Sequence, residues 1–156
     1  MHANHTQYLS PSKYGELQKE MRHLQHQVIP ELAKRIDDAR QMGDLSENAE
    51  YHAAREEMAW AQSRVKELEH ILQNVSLISD EKKSSQVVEI GSSVIVEIQG
   101  KKKTYTIVGA QEADPSSGKI SNESPLGSAF LGRKKRERVE VHVPSGTQVY
   151  TIIDIT

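Results

Sequence analysis

The chain has 156 residues, 27% of them charged and 36% apolar, a composition that fits one medium domain or two small ones and is not that of a disordered segment. Its formal net charge of −2 argues against a general electrostatic grip on naked nucleic acid, and neither half is a basic module: residues 1–84 carry 11 basic and 14 acidic side chains, residues 85–156 carry 9 and 8. There is no cysteine, which excludes disulfides, thiolate zinc sites and cysteine nucleophiles, and no signal-type apolar core or membrane-length apolar run; the expected address is the cytoplasm, with no membrane partner.

Ser10-Pro11-Ser12 is a helix-start signal. Apolar residues then fall at Tyr14, Leu17, Met21, Leu24 and Val28, spaced three and four alternately, and continue at Leu32, Ile36 and Ala39 with an extra residue that resembles a stutter. Pro30 sits beside it and is expected to remove a backbone bond and bend the helix. A second seam runs through Tyr51, Ala54, Met58, Ala61, Val65, Leu68, Leu72 and Val75, and residues 46–73 hold neither Gly nor Pro. Two such helices joined by a short turn must run antiparallel, as a rod roughly 42 Å long. A dimerising coiled coil is the other reading of the seam; the short turn and Gly43 favour closure within one chain, hence a monomer. Trp60, beside the seam, is expected to shield the hairpin.

The turn between the helices reads Gly43-Asp44-Leu45-Ser46-Glu47-Asn48-Ala49-Glu50. Gly43 should end the first helix, and Asp44 or Ser46 could cap the second; Asp44-x-x-Glu47 has the spacing of a capping box. The tip nevertheless holds more carboxylate than a cap requires, and Arg40 and Arg55 flank it. Carboxylates at an apex with guanidiniums behind them suit a divalent cation and a phosphate: magnesium takes one or two protein carboxylates, and Arg steadies phosphate oxygens. Asp44 and Glu47 alone would hold magnesium weakly, so a partner must complete the site and no cofactor is expected to be tightly bound.

The segment 76–86 is polar and reads as a connector. Periodicity then changes to two. Val94–Ile98 and Thr104–Val108 form a hairpin across a turn at Gly100–Lys103, and Val139–Val143 and Val149–Ile155 form another across Pro144-Ser145-Gly146. A short helix is expected at Ser124–Leu131, opened by Ser-Pro. The fold class is therefore α+β: an antiparallel helical hairpin over residues 1–77, a linker over 78–86, and a small antiparallel sheet with one helix over 87–156. His23 and His26 lie one turn apart, but nothing nearby completes a zinc site. The basic run Arg133–Arg138 reads as a solvated turn.

The stretch from Arg40 to Glu56, RQMGDLSENAEYHAARE, resembles the bacterial Gre transcript-cleavage factors. So do Pro30-Glu31, Gln73-Asn74-Val75 with Ile78, Ile120-Ser121 with Ser124-Pro125-Leu126-Gly127, and Leu131-Gly132-Arg133. The interspersed acids among Arg22, Lys34, Arg35, Arg40 and Arg55 favour the subclass with the less basic hairpin. The resemblance implies an FKBP-like C-terminal domain that docks on RNA polymerase, and a hairpin that enters the polymerase's secondary channel. Asp44 and Glu47 would then share a catalytic magnesium with the polymerase, which cleaves the 3′ end of its own backtracked transcript. Arg40 and Arg55 would contact the extruded RNA. The loop Ser121-Asn122-Glu123-Ser124-Pro125 is the candidate docking element; an ordinary helix-opening loop is the other reading. The chain would be an accessory factor rather than an enzyme.

Other functions fit less well. Prolyl isomerisation, which an FKBP-like fold raises, needs a proline pocket walled by aromatics, and the second half has only Tyr105, Phe130 and Tyr150. A Gre-like inhibitor that occupies the same channel would carry a differently charged tip. A coiled-coil chaperone or structural dimer would carry apolar tips.

Overall fold

The computed structural model describes residues 6–44, 46–79 and 86–156. These form two compact units, one of Tyr14–Asn74, the other of the residues up to Lys13 together with Val75–Thr156. Residues 80–85, most of the expected linker, and Leu45 of the tip lie outside the described residues.

The helical unit is a hairpin. Its first arm comprises α1 (Pro11–His23), a π-helical turn at Leu24–Val28 and α2 (Ile29–Gln41); its second is α3 (Ala49–Gln73). Pro11 follows Ser10, whose hydroxyl accepts a hydrogen bond from the Lys13 N–H at 3.1 Å, as the Ser-Pro signal predicts. The stripe of the first arm buries Leu17, Leu24, Leu32 and Ala39; that of the second buries Ala54, Ala61, Val65, Leu68 and Ile71. The extra residue in the first seam becomes the π turn, closed by a bond from the Ile29 N–H to the Leu24 carbonyl. A π turn absorbs one inserted residue without breaking the helix, and it gives room just where Pro30 can donate no bond. The long arm α3 has 25 residues, about 38 Å of helix.

Ion pairs tie the arms in register. Arg64 reaches Glu20 at 2.7 Å across the hairpin and Glu67 at 2.8 Å along it, while Arg35 reaches both Glu50 and Glu57 at 2.8 Å. Such exposed pairs contribute little stability but fix which residues face each other. Trp60 does not shield the seam: it is 62% exposed. One residue before Ala61 is about 100° around the helix from the buried stripe.

The second unit is built on a five-stranded sheet in the order β5-β4-β3-β7-β6, from β3 (Ser93–Ile98), β4 (Lys101–Val108), β5 (Lys119–Ser121), β6 (Arg138–Val143) and β7 (Gly146–Ile155). Three pairs are antiparallel, but β4 and β5 are parallel, so the sheet is mixed rather than purely antiparallel as expected. A separate parallel pair joins β1 (Gln7–Leu9) to β2 (Val75–Leu77). Val75, expected at the end of the helical seam, is thus in a strand.

The β3–β4 connection corrects the expected turn. It consists of Gln99 and Gly100, both at positive φ (50° and 73°), and Lys101–Lys103 stand in the ladder opposite Ile98, Glu97 and Val96. A two-residue hairpin turn needs positive φ at both central positions, and Gly100 supplies one without strain, so the lysines fall inside the strand. In β7 the alternation slips after Ile152: Val96 faces Ile152, Ile95 faces Asp154, and the extra residue Ile153 forms a bulge that turns Ile155 inward.

The core of this unit holds Val88, Val94, Val96, Ile107, Phe130, Val139, Val141, Tyr150, Ile152 and Ile155. Phe130 comes from α4 (Pro125–Phe130), the helix expected at Ser124–Leu131. Its ring lies 6.2 Å from that of Tyr105 and 5.4 Å, edge on, from that of Tyr150. The three aromatics of this half therefore pack against one another and not around an open pocket. Among the described residues no helix is long and apolar enough to cross a membrane.

Candidate functional site at the hairpin tip

Gly43 ends the first arm as its sequence position predicts, at φ +117°, a conformation costly for any side chain. The start of α3 is organised by Asn48, which spacing alone did not single out. Its Oδ1 accepts from the Tyr51 N–H at 3.1 Å, and its Nδ2 donates to the Ala39 carbonyl at 3.1 Å. One amide thus caps the second helix and ties it to the end of the first. Asn is a preferred cap, and its place directly before the Ala-Glu-Tyr-His run was the available signal.

The capping reading of Asp44, Ser46 and Glu47 is overturned by this arrangement. Asp44 serves its own loop: its Oδ1 accepts from the Ser46 N–H at 3.0 Å and from the Ser46 hydroxyl at 2.8 Å. The Ser46 carbonyl in turn lies 3.3 Å from Nε2 of His52. The Ser46 donors hold the Asp44 carboxyl below the usual carboxylate range, so it is ionised at neutral pH. The Oδ2 of Asp44 has no hydrogen-bond partner among the described residues. Glu47 is exposed, with no hydrogen bond or ion pair there.

The open Oδ2 of Asp44 and the exposed carboxylate of Glu47 fit a hard divalent cation that takes only one or two oxygens from this chain. They do not make a site by themselves. Among the described residues no group of three or more His, Cys, Asp or Glu could hold a metal ion.

Arg40 and Arg55 come together at the tip, one from each arm. Arg55 Nη1 donates to the Tyr51 hydroxyl at 3.1 Å, and the Arg40 guanidinium stands near enough to the same hydroxyl to favour its phenolate. The Arg55 guanidinium carbon lies 5.8 Å from the centroid of the Tyr51 ring. These cations favour the phenolate and hold the Tyr51 hydroxyl below the usual tyrosine range.

The loop Ser121–Pro125 is built differently. The Ser124 hydroxyl donates to the Ser121 carbonyl at 2.7 Å and accepts from the Gly127 N–H at 3.0 Å, capping α4. The Asn122 N–H bonds the Val108 carbonyl at 2.9 Å, and Glu123 and Pro125 are exposed. In the basic run, Arg133 pairs with Glu137 at 3.0 Å and Lys135 with Asp154 at 2.8 Å.

Comparison with known proteins places the chain. The family described as "Transcription elongation factor, N-terminal" (GreA/GreB) matches residues 7–77, and "Transcription elongation factor, GreA/GreB, C-term" matches residues 83–156. The chain belongs to the GreA/GreB family of transcription elongation factors. Within that family, the relatives similar to it over nearly all of its length include proteins named transcription elongation factor GreA. That of Roseiflexus sp. (strain RS-1) is 43% identical over 150 residues, 95% of this chain and 96% of the relative. That of Geobacillus kaustophilus is 40% identical over 156 residues, 98% and 99% of the two chains. Among solved structures, the GreA factor homolog 1 protein of Thermus thermophilus is 25% identical, with a TM-score of 0.43 over 96% of this chain and 97% of that one.

Proposed function

We propose that this transcription elongation factor acts on backtracked RNA polymerase, placing its hairpin tip in the secondary channel so that the polymerase cleaves its own transcript near the 3′ end. The observation that carries the reading is that Asp44 and Glu47 are not consumed by helix capping, which Asn48 performs. Two acids spared from helix capping at the end of a long hairpin, Glu47 exposed and Asp44 with Oδ2 open, are available to a partner's active centre.

In this reading Asp44 and Glu47 would be the residues toward a magnesium ion shared with the polymerase. That ion, when bound, supplies charge stabilisation for the phosphodiester and acidifies its water. Asp44 arrives ionised and with its loop fixed by Ser46, so little reorganisation is needed when it meets the partner. Arg40 and Arg55 neutralise phosphate oxygens of the extruded RNA. The Ser121–Pro125 loop docks on the polymerase from the second unit. The factor is accessory: the scissile chemistry belongs to the polymerase, and the chain works in the cytoplasm where that enzyme is.

The test is 3′ cleavage by a stalled, backtracked polymerase with wild type, Asp44→Asn and Glu47→Gln. The expected result is faster cleavage with wild type and loss with each variant, while binding to polymerase persists. Binding without any rise in cleavage would make the chain a channel-occupying regulator instead.

A further inference from the structure

The arginines of the hairpin fall into two kinds. Arg35 and Arg64 each meet two carboxylates. Arg40 and Arg55 meet none among the described residues; Arg55 bonds one neutral oxygen, the hydroxyl of Tyr51, and Arg40 stands beside that oxygen. Two guanidiniums repel each other, and a phenol offsets that repulsion far less than a carboxylate does. Such a pair is incomplete without an anion. Tyr51 is well placed to hold it: it stands in the first turn of α3, where Asn48 fixes its backbone, and its ring carries Arg55 against one face.

We infer that Tyr51 is a positioning residue whose hydroxyl gathers Arg40 from one arm and Arg55 from the other into a two-guanidinium clamp for a phosphodiester of single-stranded RNA. The inference rests on the function proposed above, and assigns the specificity of the tip for its anion to a residue that is neither acidic nor basic. The hydroxyl accepts from Arg55 and has Arg40 beside it, so it anchors one guanidinium next to the other. A phosphodiester offers two unesterified oxygens, one to each. The fixed, planar donor array of each guanidinium makes the clamp geometry, rather than net charge, the source of the grip.

Tyr51→Phe tests this because it keeps the ring beneath Arg55 and removes only the hydroxyl that lies between the two arginines. At saturating factor, cleavage by the backtracked polymerase should fall about tenfold with Tyr51→Phe, the size expected for loss of one orienting contact. In an Arg40→Ala/Arg55→Ala background the same substitution should change nothing, the thermodynamic signature of a residue acting through those two. Thermal unfolding of Tyr51→Phe should match wild type. Equal cleavage by Tyr51→Phe and wild type would overturn the inference. So would a loss that persists in full without the arginines, since Tyr51 would then be a packing residue.

A second measurement needs no polymerase. In the free protein, the arginine Nε–Hε resonances of Arg40 and Arg55 should shift together on addition of a short single-stranded RNA, and lose that concerted shift in Tyr51→Phe. If wild type fails to stimulate cleavage yet shows the concerted shift, the proposed function is lost and the clamp stands. If cleavage is stimulated but neither resonance responds to RNA, the clamp is lost and the function stands.

Discussion

Asn48 joins the two arms of the hairpin with a single side chain, accepting from the Tyr51 N–H and donating to the Ala39 carbonyl. Asn48→Ala removes the cap and one of the two donors to the Ala39 carbonyl, which keeps only the Met42 N–H. The expected loss is about 1–2 kcal/mol, read as a lower urea midpoint by far-ultraviolet circular dichroism. Asp44→Asn should lower that midpoint far less, because an amide oxygen can still accept from Ser46 and only the carboxylate's stronger acceptance is lost. Asp44 makes a separate prediction with pH. Its folded pKa is depressed, chiefly by the Ser46 backbone N–H and then by the Ser46 hydroxyl. A depressed carboxyl contributes its stabilisation above its unfolded pKa and loses it as pH falls through the folded value. Carbon-detected NMR should therefore show Asp44 titrating at lower pH than an unperturbed aspartate, and Ser46→Ala should move it back upward. An unchanged titration in Ser46→Ala would remove Ser46 as the cause. Sequence spacing alone could not separate cap from free acid here, since Asp44, Ser46 and Asn48 all belong to the residue types that cap helices. The choice was made by where α3 begins, a tertiary outcome of the Ala54–Ala61–Val65–Leu68 seam.

At the scale of elements, close backbone approaches decide what the short segments can tolerate. A Cβ at Gly109 would lie 1.7 Å from the Tyr8 carbonyl oxygen, and one at Gly127 would lie 2.0 Å from that of Ser121. Gly109→Ala should therefore push β1 away from its neighbour. Hydrogen exchange of the Ile78 amide, which bonds the Leu9 carbonyl at 2.8 Å, should accelerate while amides of the β3–β7 pairing keep their protection. Retained Ile78 protection would show that the strand accommodates the methyl group. Elements with many periods were legible: α3, and the strands carrying Val94–Val96 and Val139–Val141, repeat their pattern often enough to set type and face. The three-residue strands β1, β2 and β5 were not, because three residues hold no full period and their pairing partners are far along the chain. The stutter near Val28 was legible as an irregularity, but its realisation as a π turn depends on backbone bonding that the apolar pattern does not encode.

For the molecule as a whole, the question is whether the apolar seams are satisfied inside one chain. Each arm of the hairpin has a buried stripe, and Leu24, Leu32 and Ala39 on one and Ala54, Ala61 and Leu68 on the other are each under 5% exposed within a single copy. The small residues Ala54 and Ala61 let the arms approach closely, and the ion pairs of Arg35 and Arg64 are closed within the same chain. Among the described residues the large exposed apolar side chains, Met42, Trp60, Leu77 and Val149, are well separated in sequence, and such single exposures need no partner. A dimer through the helices would have to open a seam already closed, exchanging its apolar contacts for equivalent ones at the cost of translational freedom. Sedimentation equilibrium at micromolar concentration should accordingly return the monomer mass of 17.5 kDa, independent of salt. A doubled mass would place the seam between chains. The tip would then no longer present one Tyr51 between the arginines of its own two arms, and the proposals for cleavage and for the clamp would both have to be rebuilt on an intermolecular hairpin.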